Sequence, residues 1–294
     1  MVATKIFYLA RLDRYKTDKP FMHTFDLPPG VGEKTNHEYI SQESSVTDVR
    51  GQEKEFSLDV HGFQFCNWPT SLSPPDFDDN DSVKNRYYTE IRQHILGTFS
   101  NTTEVIVLNH LKRKRDKQFR QIATTEPDYP NPIVFAHADF SPGHAEQIVK
   151  RLLETKDREH LRGLSFDFVN VWRVTKEPSR DWPLAVCDYS TISADDVEFT
   201  DIIHRDHVGE NLRLYSNSHH KWYFLDHQQV SEVLVFRNIH AEGLEVPFAP
   251  HVAFEHPDSS PDQYRESVEI RTVRFFKPSC GEILQPASQI NKLL

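Results

Sequence analysis

Cysteine is scarce in this chain: among 294 residues only Cys66, Cys187 and Cys280 are cysteines, an odd number set far apart. That excludes a disulfide framework and a cysteine-rich zinc site, and leaves free thiols. A long uncharged apolar run is missing as well, which excludes a membrane-spanning helix. The opening MVATKIFYLARLDRYKTDKP holds no apolar stretch of signal-peptide length, so a cytoplasmic protein is expected. Positive charge is not in excess either, because 34 Lys and Arg against 44 Asp and Glu leave a net charge of −10. Nothing global therefore attracts nucleic acid or an anionic membrane, and a small molecule is the expected partner. Internal repeats and low-complexity tracts are absent, and no boundary divides the chain. One domain spanning 1–294 is expected, with an N-terminal extension over about 1–45 and a barrel core over about 100–280.

What is present is a patterned chain. Val83, Tyr87, Ile91 and Ile95 recur four apart between a capping Asp81 or Ser82 and Gly97, which predicts an amphipathic helix. A second helix is predicted where Ser141 caps, Pro142 takes the first helical position, and Ala145, Ile148, Val149, Leu152 and Leu153 form one stripe. From Leu164 onward the runs LSFDFVNVWRV, PLAVCDY, LRLYSN, KWYFLD, EVLVFRNI, HVAFEH and SVEIRTVRFF alternate with polar loops. Helices do not alternate with these strands, so a doubly wound parallel sheet is excluded in favour of a mainly β jelly roll or barrel with flanking helices.

A barrel can hold a metal and a small ligand between its walls, and sixteen histidines supply donors. The His-x-Asp tripeptides His137-Ala138-Asp139 and His204-Arg205-Asp206 each offer two ligands on one side of an extended chain. Context separates them. His137 follows the apolar run Pro132-Ile133-Val134-Phe135 and precedes a helix cap, whereas His204 sits in the charged stretch ISADDVEFTDIIHRDHVGEN, read as a solvated loop. Two imidazoles and one carboxylate on a face of an octahedral iron leave three positions for other ligands. The third donor must be a distant histidine, and His251, opening the run PHVAFEH, is the candidate. His204, Asp206 and His207 remain the rival set.

Arg265-Glu266-Ser267 opens the last strong strand, and an Arg with a hydroxyl two residues on can clamp a carboxylate. Arg271 has the same strand parity and is the alternative clamp. Trp172, Arg173, Trp222 and Tyr223 are pocket candidates, Arg173 as the cation for a substrate carboxylate, although alternation sets it opposite Trp172 unless a bulge intervenes. Lys112 to Arg115 read as a solvated basic loop.

In order along the chain, VTDVRGQEKEFSLDVHGF, DFDDNDSVKNRYYTEI, FAHADFSPGHAEQ, NVWRV with DWPLAVCDYSTI, HHKWYFLDHQQVSEVLVFRN, and PHVAFEHPD with RESVEIRTVRFF make this chain similar to the AsaB-type hydroxylase/desaturase family, which includes gibberellin-desaturase-like enzymes. The resemblance runs from about Val46 to Phe276. It departs at Val174, where the family carries Pro, and at His240-Ala241, where it carries Asp-Ser. The resemblance implies a double-stranded β-helix, cupin-like core. It also implies an oxygenase using Fe(II), 2-oxoglutarate and O₂ on a small metabolite, with His137, Asp139 and His251 as metal ligands. A zinc hydrolase on the same three ligands, or a silent binding barrel, are the competing readings.

Overall fold

The computed structural model describes residues 1–116, 129–176, 180–259 and 264–277. Cys280 lies outside them; Cys66 and Cys187 are free. The strands are β1 (Val2–Leu9), β2 (Phe21–His23), β3 (Tyr39–Asp48), β4 (Phe63–Asn67), β5 (Thr102–Lys114), β6 (His137–Ala138), β7 (Ser165–Val174), β8 (Leu184–Cys187), β9 (Val197–Ile203), β10 (Val208–Leu214), β11 (Trp222–Phe224), β12 (Glu232–His240), β13 (His251–Ala253) and β14 (Glu266–Phe276). They form a nine-stranded sheet in the order β1-β3-β11-β8-β13-β6-β10-β9-β2, and a five-stranded sheet in the order β4-β12-β7-β14-β5. The N-terminal strands β1 and β3 pair over eight residues and extend the larger sheet.

The strand alternation dictates how the sheets meet. On β7, Trp172 and Val174 turn inward and join Leu234 and Phe236 of β12, Phe63 of β4, and Leu184 and Val186 of β8 in a cluster drawn from both sheets. Val169 and Val171 of β7 and Val268 and Ile270 of β14 turn the other way. There they meet Tyr87, Ile91 and Ile95, so the first predicted helix covers the back of the smaller sheet. It starts with a π turn at Val83–Tyr87 and continues as an α-helix over Tyr88–Thr98. Each fully buried apolar side chain on that face contributes about 1.5–3 kcal/mol. Both faces of β7 are thus buried along almost its whole length, including its polar residues Ser165, Asp167, Asn170 and Arg173.

The second predicted helix spans Pro142–Leu152, with the Ser141 hydroxyl accepting from the His144 amide at 3.2 Å. Its Ala145 and Val149 pack with Phe140, Phe168, Ile239, Val273 and Phe275. That contact fixes the residues just before the helix, which include Asp139. Below it, Asp167 is fully buried between Arg237 and Arg274, with contacts of 3.0 and 2.6 Å. Paired guanidinium groups are what make a buried carboxylate tolerable there.

Two local readings are corrected. Lys112, Arg113 and Lys114 belong to β5 rather than to a loop; Lys112 is buried, and both lysines pair with Asp78 and Glu266, which absorbs the charge run. The stretch 197–214 is the hairpin β9–β10, not a loop, and His204 to His207 form only its tip. The alternating apolar and charged residues of β9 fit a half-exposed strand. Among the described residues no helix is long and apolar enough to cross a membrane.

Candidate metal centre

The short strand β6 places His137 directly between two partners: His251 on β13 is opposite it on one side and Arg213 on β10 on the other. Residues opposite one another across strands project to the same face, so three nitrogen-bearing side chains line up inside the larger sheet. The His137 and His251 ring centroids are 4.3 Å apart. Asp139 follows β6, and its Oδ1 is 3.6 Å from His137 Nε2. His137, Asp139 and His251 bring one ligand atom each within 4.8 Å of one another, and no other such group occurs among the described residues. His204 and His207 stack on each other at 4.3 Å at the hairpin tip and form no such group.

Each donor is oriented from behind. His137 Nδ1 lies 3.0 Å from the Phe135 carbonyl and His251 Nδ1 3.3 Å from the Ala249 carbonyl. The backbone therefore takes the Nδ1–H of each ring and leaves Nε2 as the donor to a metal. Burial, reinforced by His251 and Arg213, pulls the His137 pKa down to about 3, so the ring is neutral without a metal. Burial alone would raise the Asp139 pKa, but the Arg271 guanidinium and His137 hold it well below the usual carboxylate range. Arg271 Nη2 approaches Asp139 Oδ1 at 3.0 Å and Asn170 Nδ2 donates to Oδ2 at 2.8 Å. The Asp139 amide donates to Asn238 Oδ1 at 2.9 Å. Two imidazoles offering Nε2, an ionised carboxylate, and outer partners for all three fit the donor chemistry of Fe(II) or Zn(II).

Two spaces meet at this centre. An inner pocket is bounded by Trp172, Leu184, His251, Arg265, Glu269 and Arg271. Arg265 is buried with its guanidinium 5.4 Å above the Trp172 ring; it donates to the Trp182 carbonyl, while Nε has no partner among the described residues. Burial and nearby Arg113 push its pKa down to about 9, so a guanidinium still charged at neutral pH has no ion-pair partner among the described residues. The Ser267 hydroxyl, two residues on, also has no partner among the described residues. An outer cavity of about 650 Å³ shares His137, Asp139, Arg113 and Arg271 with the inner pocket and opens past Phe135, Phe140, His144 and the His204–His207 tip.

The remaining sequence candidates distribute unevenly. Trp172 reaches the inner pocket. Arg173 does not: it is fully buried on the opposite face of β7, donating to the Tyr87 phenol at 2.7 Å and to the backbone carbonyls of Trp68 and Val230. No bulge intervenes at this point of β7, so alternation prevails. Trp222 faces the other way as well, its indole N–H on the Tyr8 phenol at 2.8 Å. Tyr223 shares the inward face, but sits two strands from His251 and packs against Phe56 at 4.8 Å. Arg271 lies at the site as a partner of Asp139 and Glu269.

Asn170, Asn238 and Arg213 were missed as functional candidates. The available signal was a polar residue within an apolar strand run, as in FVNVW. Because Asn170 holds one oxygen of Asp139, Asn170→Ala is expected to weaken iron binding roughly 10–100-fold with the fold intact, measured by anaerobic Fe(II) titration.

Comparison with known proteins follows the same lines. Residues 6–275 match the family model of the oxidoreductase/YMDC permease-like domain. The Fe(II)/2-oxoglutarate-dependent dioxygenase nvfI of Aspergillus novofumigatus is 26% identical over 261 residues, covering 85% of this chain and 90% of that protein. The hydroxylase/desaturase efuI of Hormonema carpetanum is 29% identical over 273 residues, covering 86% and 90%. The solved structure of the iron and alpha-ketoglutarate-dependent endoperoxidase NvfI superposes with a TM-score of 0.79 at 24% identity, over 94% of this chain and 98% of that one, which establishes the shared jelly-roll fold.

Proposed function

From the membership of this chain in the oxidoreductase/YMDC permease-like family, we infer that it is an Fe(II)/2-oxoglutarate-dependent oxygenase that oxidises a small metabolite in secondary metabolism. The observation that carries the reading is the pairing of a His-Asp-His cluster with a buried arginine in the same inner pocket, whose Nε has no partner among the described residues. A zinc hydrolase needs the cluster but has no use for the arginine. The relatives named as 2-oxoglutarate-dependent dioxygenases and as hydroxylase/desaturase support the same class.

In this reading His137 and His251 bind Fe(II) through Nε2 and Asp139 through its carboxylate. Iron bound there would supply the chemistry that couples decarboxylation of 2-oxoglutarate to succinate and CO₂ with oxidation of a substrate carbon by O₂. The chain's own work is positional. Arg265 and Ser267 hold the far carboxylate of the cosubstrate by charge-assisted hydrogen bonds. Arg271 and Asn170 keep Asp139 ionised and aimed. Trp172 and Leu184 wall the inner pocket against water, while the outer cavity admits the substrate to the same ligand set. The residues serving this site come from both sheets, so the chain works as one oxygenase domain. Free thiols at Cys66 and Cys187 suit a reducing compartment such as the cytoplasm.

The test is cosubstrate turnover. Purified protein with Fe(II), O₂ and 2-oxoglutarate is expected to release succinate even without substrate, and Zn(II) is expected not to replace iron. Hydrolysis supported by Zn(II), with 2-oxoglutarate left unconsumed under every metal, would replace the oxygenase reading with the hydrolase.

A further inference from the structure

We propose that Arg213, with Asn211 beside it, forms a carboxylate subsite in the outer cavity, so that the substrate is a carboxylic acid held by its carboxylate next to the metal centre. The inference rests on the oxygenase reading for what happens to that substrate, but the subsite itself is argued from the cavity.

Three observations converge on Arg213. It is opposite His137 in the β6–β10 register, so its side chain projects to the face that carries the metal ligands. It is only 1% exposed, yet Nε and Nη1 have no hydrogen-bond partner among the described residues. A buried guanidinium with two unused donors is costly unless an anion completes it. Its plane is fixed by packing: the guanidinium lies 4.5 Å from the Phe135 ring centroid, and that ring stacks on Tyr39 at 4.9 Å. The unused donors are therefore held rigidly, as bidentate carboxylate recognition requires.

The charge of the cavity points the same way. Although the chain is acidic overall, the lining carries Arg113, Arg151, Arg213 and Arg271 against only Asp139 and Glu210. Arg271 is matched by Asp139 and Glu269, and Glu210 by Lys19. Arg113 donates to the Asn131 carbonyl at 2.9 Å, a neutral acceptor. Arg213 thus lines the cavity without a carboxylate partner among the described residues, and a divalent metal at His137 would increase the demand for an anion. Asn211 stands two residues earlier on the same face of β10, and its Oδ1, without a partner among the described residues, can accept from a hydroxyl near the carboxylate. The role that strand parity denies to Arg173 falls to an arginine of the other sheet.

Calorimetry on the full chain loaded anaerobically with Fe(II) and 2-oxoglutarate tests this, with benzoate, hexanoate and decanoate titrated against their methyl esters. The visible charge-transfer absorption of the iron-bound keto acid reports retention of the cosubstrate. At least one acid is expected to bind about tenfold or more tightly than its ester, with Arg213→Met erasing that preference and Arg213→Lys retaining part of it. The subsite is overturned if no acid outbinds its ester, if the preference survives Arg213→Met, or if the acid abolishes the absorption by taking the cosubstrate's place. The wild-type comparison stands even if Arg213→Met does not fold. Should the absorption never form with Fe(II) and 2-oxoglutarate, the oxygenase reading fails separately, and the acid–ester comparison on the metal-free chain still decides the subsite.

Discussion

His137→Ala, Asp139→Ala and His251→Ala are each expected to abolish iron-dependent succinate release while the folded state persists, and His204→Ala is expected to leave it in place. The three ligands lie within 4.8 Å of one another, so losing any one leaves an incomplete facial set. Removing Asp139 also strands Arg271 beside the centre, because one of its two carboxylate partners is gone. His204 by contrast sits at a hairpin tip, with its ring on His207 and its Nδ1 3.3 Å from the Thr24 hydroxyl. Its removal changes the rim of the outer cavity and not the donor set. Anaerobic iron titration with circular dichroism on each variant separates loss of metal from loss of fold. Iron lost from the His204 variant and kept by the His137 variant would move the centre to the hairpin.

The centre was legible because its signals are local. An apolar run ending in His-x-Asp, followed at once by Ser141-Pro142, describes a buried strand that delivers two ligands and stops at a helix cap. The two helices and most strands follow from periodicities of the same kind. What the sequence leaves open is which face of a strand meets which space. β7 is buried on both sides, by the larger sheet and by the helix Tyr88–Thr98, so alternation alone cannot say whether Trp172 or Arg173 faces the site. The role of Arg213 depends on its register with His137, two residues 76 positions apart that only the sheet brings together. The hairpin at 197–214 was hidden because a strand with one wet face carries charges like a loop.

Arg265→Ala is expected to raise the apparent KM for 2-oxoglutarate tenfold or more, with much smaller effect on iron affinity, whereas Arg271→Ala is expected to reverse that order. The two arginines have the same strand parity, Arg265 just before β14 and Arg271 within it, yet the fold gives them different partners. Arg271 is engaged by Asp139 and Glu269 at 3.0 Å each, so its loss disturbs a metal ligand. Arg265 lines the inner pocket; its amide donates to Asp181 at 2.7 Å and its Nη1 to the Trp182 carbonyl, while its Nε and the Ser267 hydroxyl have no hydrogen-bond partner among the described residues. Truncating one partner of a buried charge-assisted pair costs roughly 2–5 kcal/mol, enough for a tenfold effect even at the low end. Ser267→Ala removes a neutral donor and should cost about 1 kcal/mol. Succinate release across a 2-oxoglutarate series, with iron titrated separately, gives both quantities for each variant. If Arg271→Ala raised the KM and Arg265→Ala did not, the cosubstrate's far carboxylate would lie at Arg271, further along the strand, against the partner now given to Asp139.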